Sequence, residues 1–150
     1  MTRPKHVPDD QWPRVMYDLD STSFQSGGSW FIEEEDRQDR FCGCLLSHLR
    51  YAEVAYLHGE CASTTLNMDR SRCWTKAGSR ARWAREFLYR IYEELFPKHS
   101  LKSITIAGVR SAIAARNDAV IDKEGAKGQE RMAQLWNKLV KQAGYTEVAA

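Results

Sequence analysis

No apolar run in the 150-residue chain approaches the roughly 20 residues that cross a bilayer, and the first twenty residues are polar. Neither a membrane span nor a secretory leader is therefore expected. Glycine (9) and proline (4) are too scarce for a fibrous or low-complexity chain. Cysteine is sparse as well. Cys42, Cys44, Cys61 and Cys73 include no C-x-x-C pair, the spacing most typical of structural zinc. Without a leader they are expected as free thiols in a reducing, cytoplasmic compartment. Neither sign of charge dominates, since 22 Lys and Arg against 20 Asp and Glu leave a formal net charge of +2. What remains is one soluble domain: a chain of this length, 43% apolar, is able to bury roughly 68–70% of its unfolded surface.

The distribution of charge is less even than its sum. Residues 1–60 carry 6 basic and 11 acidic side chains, a balance of −5, whereas residues 61–150 carry 16 and 9, a balance of +7. The basic extreme is 70–90, where Arg70, Arg72, Lys76, Arg80, Arg82, Arg85 and Arg90 face Glu86 alone. A molecule with two poles orients a charged partner even when its net charge is small.

The apolar pattern predicts an α+β fold, predominantly helical: about four helices forming one core, with a small N-terminal β-hairpin. Pro4, Pro8 and Pro13 mark 1–13 as an extended lead-in. Arg14–Leu19 and Ser29–Glu34 are rich in strand formers and flank a Gly-Gly turn, so a hairpin is expected over 14–35. The helical core follows over 38–143. Its first helix is expected at roughly 38–58, with Leu45, Leu49, Ala52 and Tyr56 on one face, Asp36 or Asp39 as cap and Gly59 as stop. Residues 60–78 show no period and read as loop. Ser79 is the expected N-cap of a second helix, with Ala84, Leu88, Ile91 and Leu95 inward, Trp83 and Phe87 beside them, and Pro97 past its end. A third helix fits Thr105–Arg116 with Asn117 near its stop. A fourth fits Gln129–Ala143, with Met132, Leu135, Trp136, Leu139 and Ala143 inward and Gly144 as cap. No internal repeat and no domain linker is visible.

Guanidinium forks match phosphate geometry, and an aromatic ring among them is able to stack on an unpaired base. Arg70, Arg72, Trp74, Lys76, Arg80, Arg82 and Arg85 are therefore the candidate nucleic-acid-binding residues, with Trp74 expected exposed on the loop. Arginines near a helix start oppose its dipole, a cost that external use of those charges would explain. A helix-turn-helix is not expected, because that motif joins its helices by about 3–4 residues and the gaps Phe96–Thr105 and Asn117–Gln129 are longer. For metals, the weak candidates are Cys44 and His48, four apart on a helix, with His58 and Cys61 beyond its end; no metal or other cofactor is expected.

Tyr17–Thr22, with Asp18, Asp20 and Thr22 in D-x-D-x-T order, resembles the first motif of the haloacid-dehalogenase-type phosphotransferases. The resemblance implies Asp18 as nucleophile and Asp20 as acid/base, with Asp118 and Asp122 at a spacing suited to magnesium. That family's fold needs parallel strands with crossover helices, whereas 41–99 reads as helix and loop, so no catalytic residue is assigned. The leading reading is a non-enzymatic binding protein whose basic loop and helix start, 70–90, contact DNA or RNA. The rival reading uses the opposite pole. Asp18, Asp20, Glu33, Glu34, Glu35 and Asp36 crowd the hairpin. They would suit a small protein-interaction module or inhibitor, of the kind phages and mobile elements encode, docking on a host nucleic-acid-binding protein.

Overall fold

The computed structural model describes residues 18–27, 30–32, 40–58, 73–99 and 104–143. Four helices make up most of it: α1 (Leu45–His58), α2 (Arg82–Leu95), α3 (Ile106–Glu124) and α4 (Ala126–Ala143). The predominantly helical architecture is thus as the pattern predicts. Trp30–Ile32 (β1) pairs antiparallel with Arg40–Cys42 (β2), Phe31 opposite Phe41. The lead-in 1–13 and residues 14–17 of the first expected hairpin arm lie outside the described residues. None of the helices among the described residues is long and apolar enough to cross a membrane.

Besides the start of the second helix, taken up below, three helix boundaries differ from expectation, each for a local reason. The first helix begins at Leu45 rather than near 38, because 40–42 is extended and paired with β1. The third runs through Asn117 to Glu124: Val109, Ile113, Asn117 and Ile121 form one buried i, i+4 row, so the asparagine is an inward position and not a stop. The fourth starts at Ala126 instead of 129. Gly125 alone separates α3 from α4, with φ 60° and its N–H bonded to the Ile121 carbonyl at 2.8 Å. That positive φ is open to glycine, which has no Cβ to clash. Gly128 permits the close crossing that follows, since a Cβ there would lie 2.5 Å from the Val120 carbonyl oxygen.

All four helices contribute to one core. Leu45, Leu49 and Ala52 of α1 meet Ala84, Phe87, Leu88 and Ile91 of α2, Val109 and Ile113 of α3, and Met132, Trp136, Leu139 and Val140 of α4. Trp136 sits at its centre, edge-on to Phe87 at 5.1 Å and tilted against His48 at 6.0 Å. Burying each such aliphatic or aromatic side chain is worth roughly 1.5–3 kcal/mol. Leu95 and Leu135, expected inward, are half-buried. Tyr56, also expected inward, is 38% exposed and lays its ring edge-on to Trp83 at 5.7 Å.

Candidate nucleic-acid interface

The second helix starts on Ala81, which has no side chain able to cap, and Ser79 makes no cap bond in its place. The cap comes from α1. Glu53 is fully buried, and its Oε2 accepts the N–H groups of Arg80 (2.9 Å) and Ala81 (2.8 Å). Its Oε1 accepts the Gly78 N–H at 3.1 Å and Nη1 of Arg50 at 2.9 Å. A carboxylate among free amides at a helix start is favourable both as acceptor and as a charge opposing the dipole. Gly78 makes the turn possible: φ is 76°, and a Cβ would come within 3.2 Å of the Arg85 Cα.

With the negative charge held beneath the backbone, the outer surface of this segment is cationic. Lys76, Arg80, Arg82 and Arg85 are all exposed. Arg85 also reaches its Nε to the Gly78 carbonyl at 3.4 Å. Arg110 of α3 joins them, donating from Nε to the Ala77 carbonyl at 2.7 Å. Burial lowers the Arg110 pKa from its ordinary value; Glu53 opposes that shift, and the positive charges of Arg85 and Arg50 add to it. An arginine stays charged in proteins, so Arg50, Arg85 and Arg110 gather three positive charges about one buried carboxylate. Elsewhere arginine serves local packing: Arg116 lies 4.5 Å over the Phe96 ring.

Arg70 and Arg72 lie outside the described residues. Trp74, expected exposed, is half-buried. It packs against the core from a 3-10 turn, Cys73–Lys76, where part of its large apolar ring leaves water. It lines an open cavity of about 390 Å³ together with Gly27, Ser111, Ala114, Ala115 and Asp118.

The acidic candidates separate. Glu33, Glu34, Glu35 and Asp36 lie outside the described residues, and Asp18 is exposed. Asp20 is a turn cap: its Oδ1 accepts from the Thr22 N–H (2.8 Å) and hydroxyl (2.7 Å), closing the 3-10 turn Ser21–Ser23. Asp122 accepts from the Ser26 hydroxyl at 2.6 Å and Asp118 from the Gly27 N–H at 3.1 Å, so both carboxylates hold the 26–27 turn.

The cysteine and histidine candidates are also dispersed. His48 is buried with its Nε2 donating to the Ser23 carbonyl at 2.7 Å and its ring 4.8 Å from Phe24. Burial pushes its pKa down to about 4, against the opposing effect of the Ser23 hydrogen bond. Cys44 is buried with Sγ 3.4 Å from the Ser47 hydroxyl. Cys61 and the His58 side chain are outside the described set, within which no group of three His, Cys, Asp or Glu is placed to hold a metal ion.

Three contributors went unassigned in the sequence: Arg50, Glu53 and Arg110. Glu53 did leave a trace there, as a carboxylate four residues after the inward Leu49. A charged residue on an apolar helix face is rarely buried unless something pairs with it. No protein-family model, curated protein or solved structure matches the chain.

Proposed function

We propose that the protein is a non-enzymatic nucleic-acid-binding protein that holds a phosphate backbone with Lys76, Arg80, Arg82 and Arg85. One observation carries the reading: four exposed cations within 76–85 surround a helix start whose neutralising carboxylate, Glu53, is turned inward onto backbone amides. The surface is therefore both cationic and anchored. Anchoring limits the ordering cost of binding, because the turn that carries these side chains is already in place. Guanidinium groups fit phosphate oxygens two at a time, and four cations placed within 76–85 suit a ligand that repeats its negative charge along a chain. Arg70 and Arg72 continue the same basic stretch along the chain.

Fluorescence anisotropy with labelled single-stranded DNA, duplex DNA and RNA across a salt series tests this. Binding is expected to weaken with salt, by a slope of about 0.7 per neutralised phosphate on single strands and about 0.9 on duplex DNA. The double variant Lys76→Glu/Arg82→Glu is expected to lose binding. Its stability should stay within about 0.5 kcal/mol of the parent, since both positions are exposed and an acid is favourable in the first turn of α2. Undiminished binding by that variant would overturn the reading. So would no binding at low salt, and a pull-down with Glu33, Glu34, Glu35 and Asp36 changed to lysine would then test the opposite pole.

A further inference from the structure

Building on the nucleic-acid reading, we infer that the cavity beside the basic surface takes one unpaired base and that Asp118 selects guanine there. The cavity lies between the 3-10 turn Cys73–Lys76 and α3, with Trp74 contributed by the turn and Ser111, Ala114, Ala115 and Asp118 by the helix. Both elements also carry the cationic surface: Lys76 follows Trp74 by two residues, and Arg110 directly precedes Ser111. A strand held by its phosphates at Lys76 and Arg110 would thus have the cavity within one or two residues of each contact. The volume, about 390 Å³, is within the roughly 300–1,000 Å³ of small-ligand sites. Ala114, Ala115 and Gly27 keep the walls thin, which suits a flat ring, and a half-buried indole gives that ring a face to stack on.

Asp118 supplies the selectivity. Its hydrogen bonds among the described residues, from the Gly27 N–H at 3.1 Å and from Nδ2 of Asn117 at 3.2 Å, both end on Oδ1. Oδ2 remains to accept from a ligand. A carboxylate only accepts, so it favours the base edge with donors side by side. Guanine presents N1–H and N2–H next to each other on its Watson–Crick edge. Adenine and cytosine set a ring acceptor beside their amino group, and that lone pair faces the carboxylate unfavourably. Thymine and uracil flank one N–H with two carbonyls. The Watson–Crick edge is occupied in a duplex, so the site requires a single strand.

The test is anisotropy at fixed salt with thymine or uracil strands, in DNA and RNA form, that carry one central guanine, one central adenine or one abasic position. The guanine strand is expected to bind about tenfold tighter than the abasic strand of equal charge. Asp118→Asn retains an oxygen for the Gly27 N–H, so the turn stays closed, but puts an amide donor where guanine needs an acceptor. That variant is expected to lose the guanine preference with the salt slope unchanged. Trp74→Phe, which keeps an aromatic face in the core, is expected to weaken single-strand binding without changing the slope. Equal affinity for guanine, adenine and abasic strands would overturn the cavity assignment and leave the phosphate reading standing. A guanine preference that survives Asp118→Asn, or occurs with only one of the two sugars, would overturn the base-edge assignment. Absence of binding to every strand would overturn both readings.

Discussion

The starts of α1 and α2 pose the same problem and solve it with opposite chemistry. Cys44 precedes α1 and Ala81 precedes α2, and each helix takes a cap from a distant helix. At α1 the cap is neutral: the fully buried Asn117 of α3 accepts the Leu45 N–H at 3.2 Å. At α2 it is the carboxylate of Glu53. What else each cap must satisfy explains the choice. Asn117 also donates from Nδ2 to the Gln25 carbonyl at 3.1 Å, which a carboxylate is unable to do. Among the described residues Glu53 meets N–H groups and the Arg50 guanidinium only, so an acceptor-only group suits the position.

The contrast extends to the segments attached. Residues 19–25, beside the α1 start, hang on neutral side chains: Asn137 bonds both the N–H and the carbonyl of Leu19, His48 bonds Ser23 and Gln129 bonds Phe24. The 77–81 turn hangs on an ion. A charged clamp therefore underlies the cationic surface, whereas the long-range side-chain partners of Leu19, Ser23, Phe24 and Gln25 are all neutral.

Glu53→Gln is the sharpest way to break the comparison. A glutamine amide group would point a donor at backbone donors and leave Arg50 without its partner. The expected loss is about 3–5 kcal/mol, read from the denaturant midpoint. A loss below about 1 kcal/mol would mean the charge is dispensable and the two caps equivalent.

The second test uses pH and acts on the neutral side. Above pH 6.5, the ordinary histidine value, His48 is uncharged in both folded and unfolded chains and contributes no pH dependence. Between 6.5 and about 4 the unfolded chain takes up a proton that the folded one refuses, so stability falls as pH drops. The full window is worth about 3 kcal/mol. Urea midpoints at neutral pH and near the lower end of that window should differ in the parent. The difference should shrink in His48→Gln, which keeps a donor for the Ser23 carbonyl and leaves only the carboxylates' share.

The smallest effect is expected at Asn137, which is only half-buried. Asn137→Ala removes two hydrogen bonds to Leu19 that water is able to replace in part, for a loss of about 1–2 kcal/mol. If it cost as much as Glu53→Gln, the charged clamp would hold no special place.

Much of the helical core was legible residue by residue. The stripes Ala84, Leu88 and Ile91, and Met132, Trp136 and Leu139, are all buried as their spacing predicts. The exposure of Lys76, Arg80, Arg82 and Arg85 was legible too, because long cations at a polar turn and on the outer face of an amphipathic helix stay in water. The errors share a cause. By local spacing Ser79 and Asn117 are punctuation, a cap and a stop. Ser79 does not cap, and Asn117 bonds a residue 72 positions away. No helical period claims Trp74, which makes it an exposed loop residue by sequence, yet it packs against the core from a short turn.

The sequence by itself determined the helix faces, the predominantly helical class and the cationic stretch, since these depend on residues a few positions apart. Only the tertiary structure decided which polar side chains cap which helix, and which walls enclose the cavity at Trp74. Those depend on partners 25–28 positions away for Glu53 and, for Asp118, on the Gly27 N–H 91 positions away. A short polar side chain carries no periodic signature of its partner; it acquires one when the packed helices leave a single N–H or carbonyl within its reach.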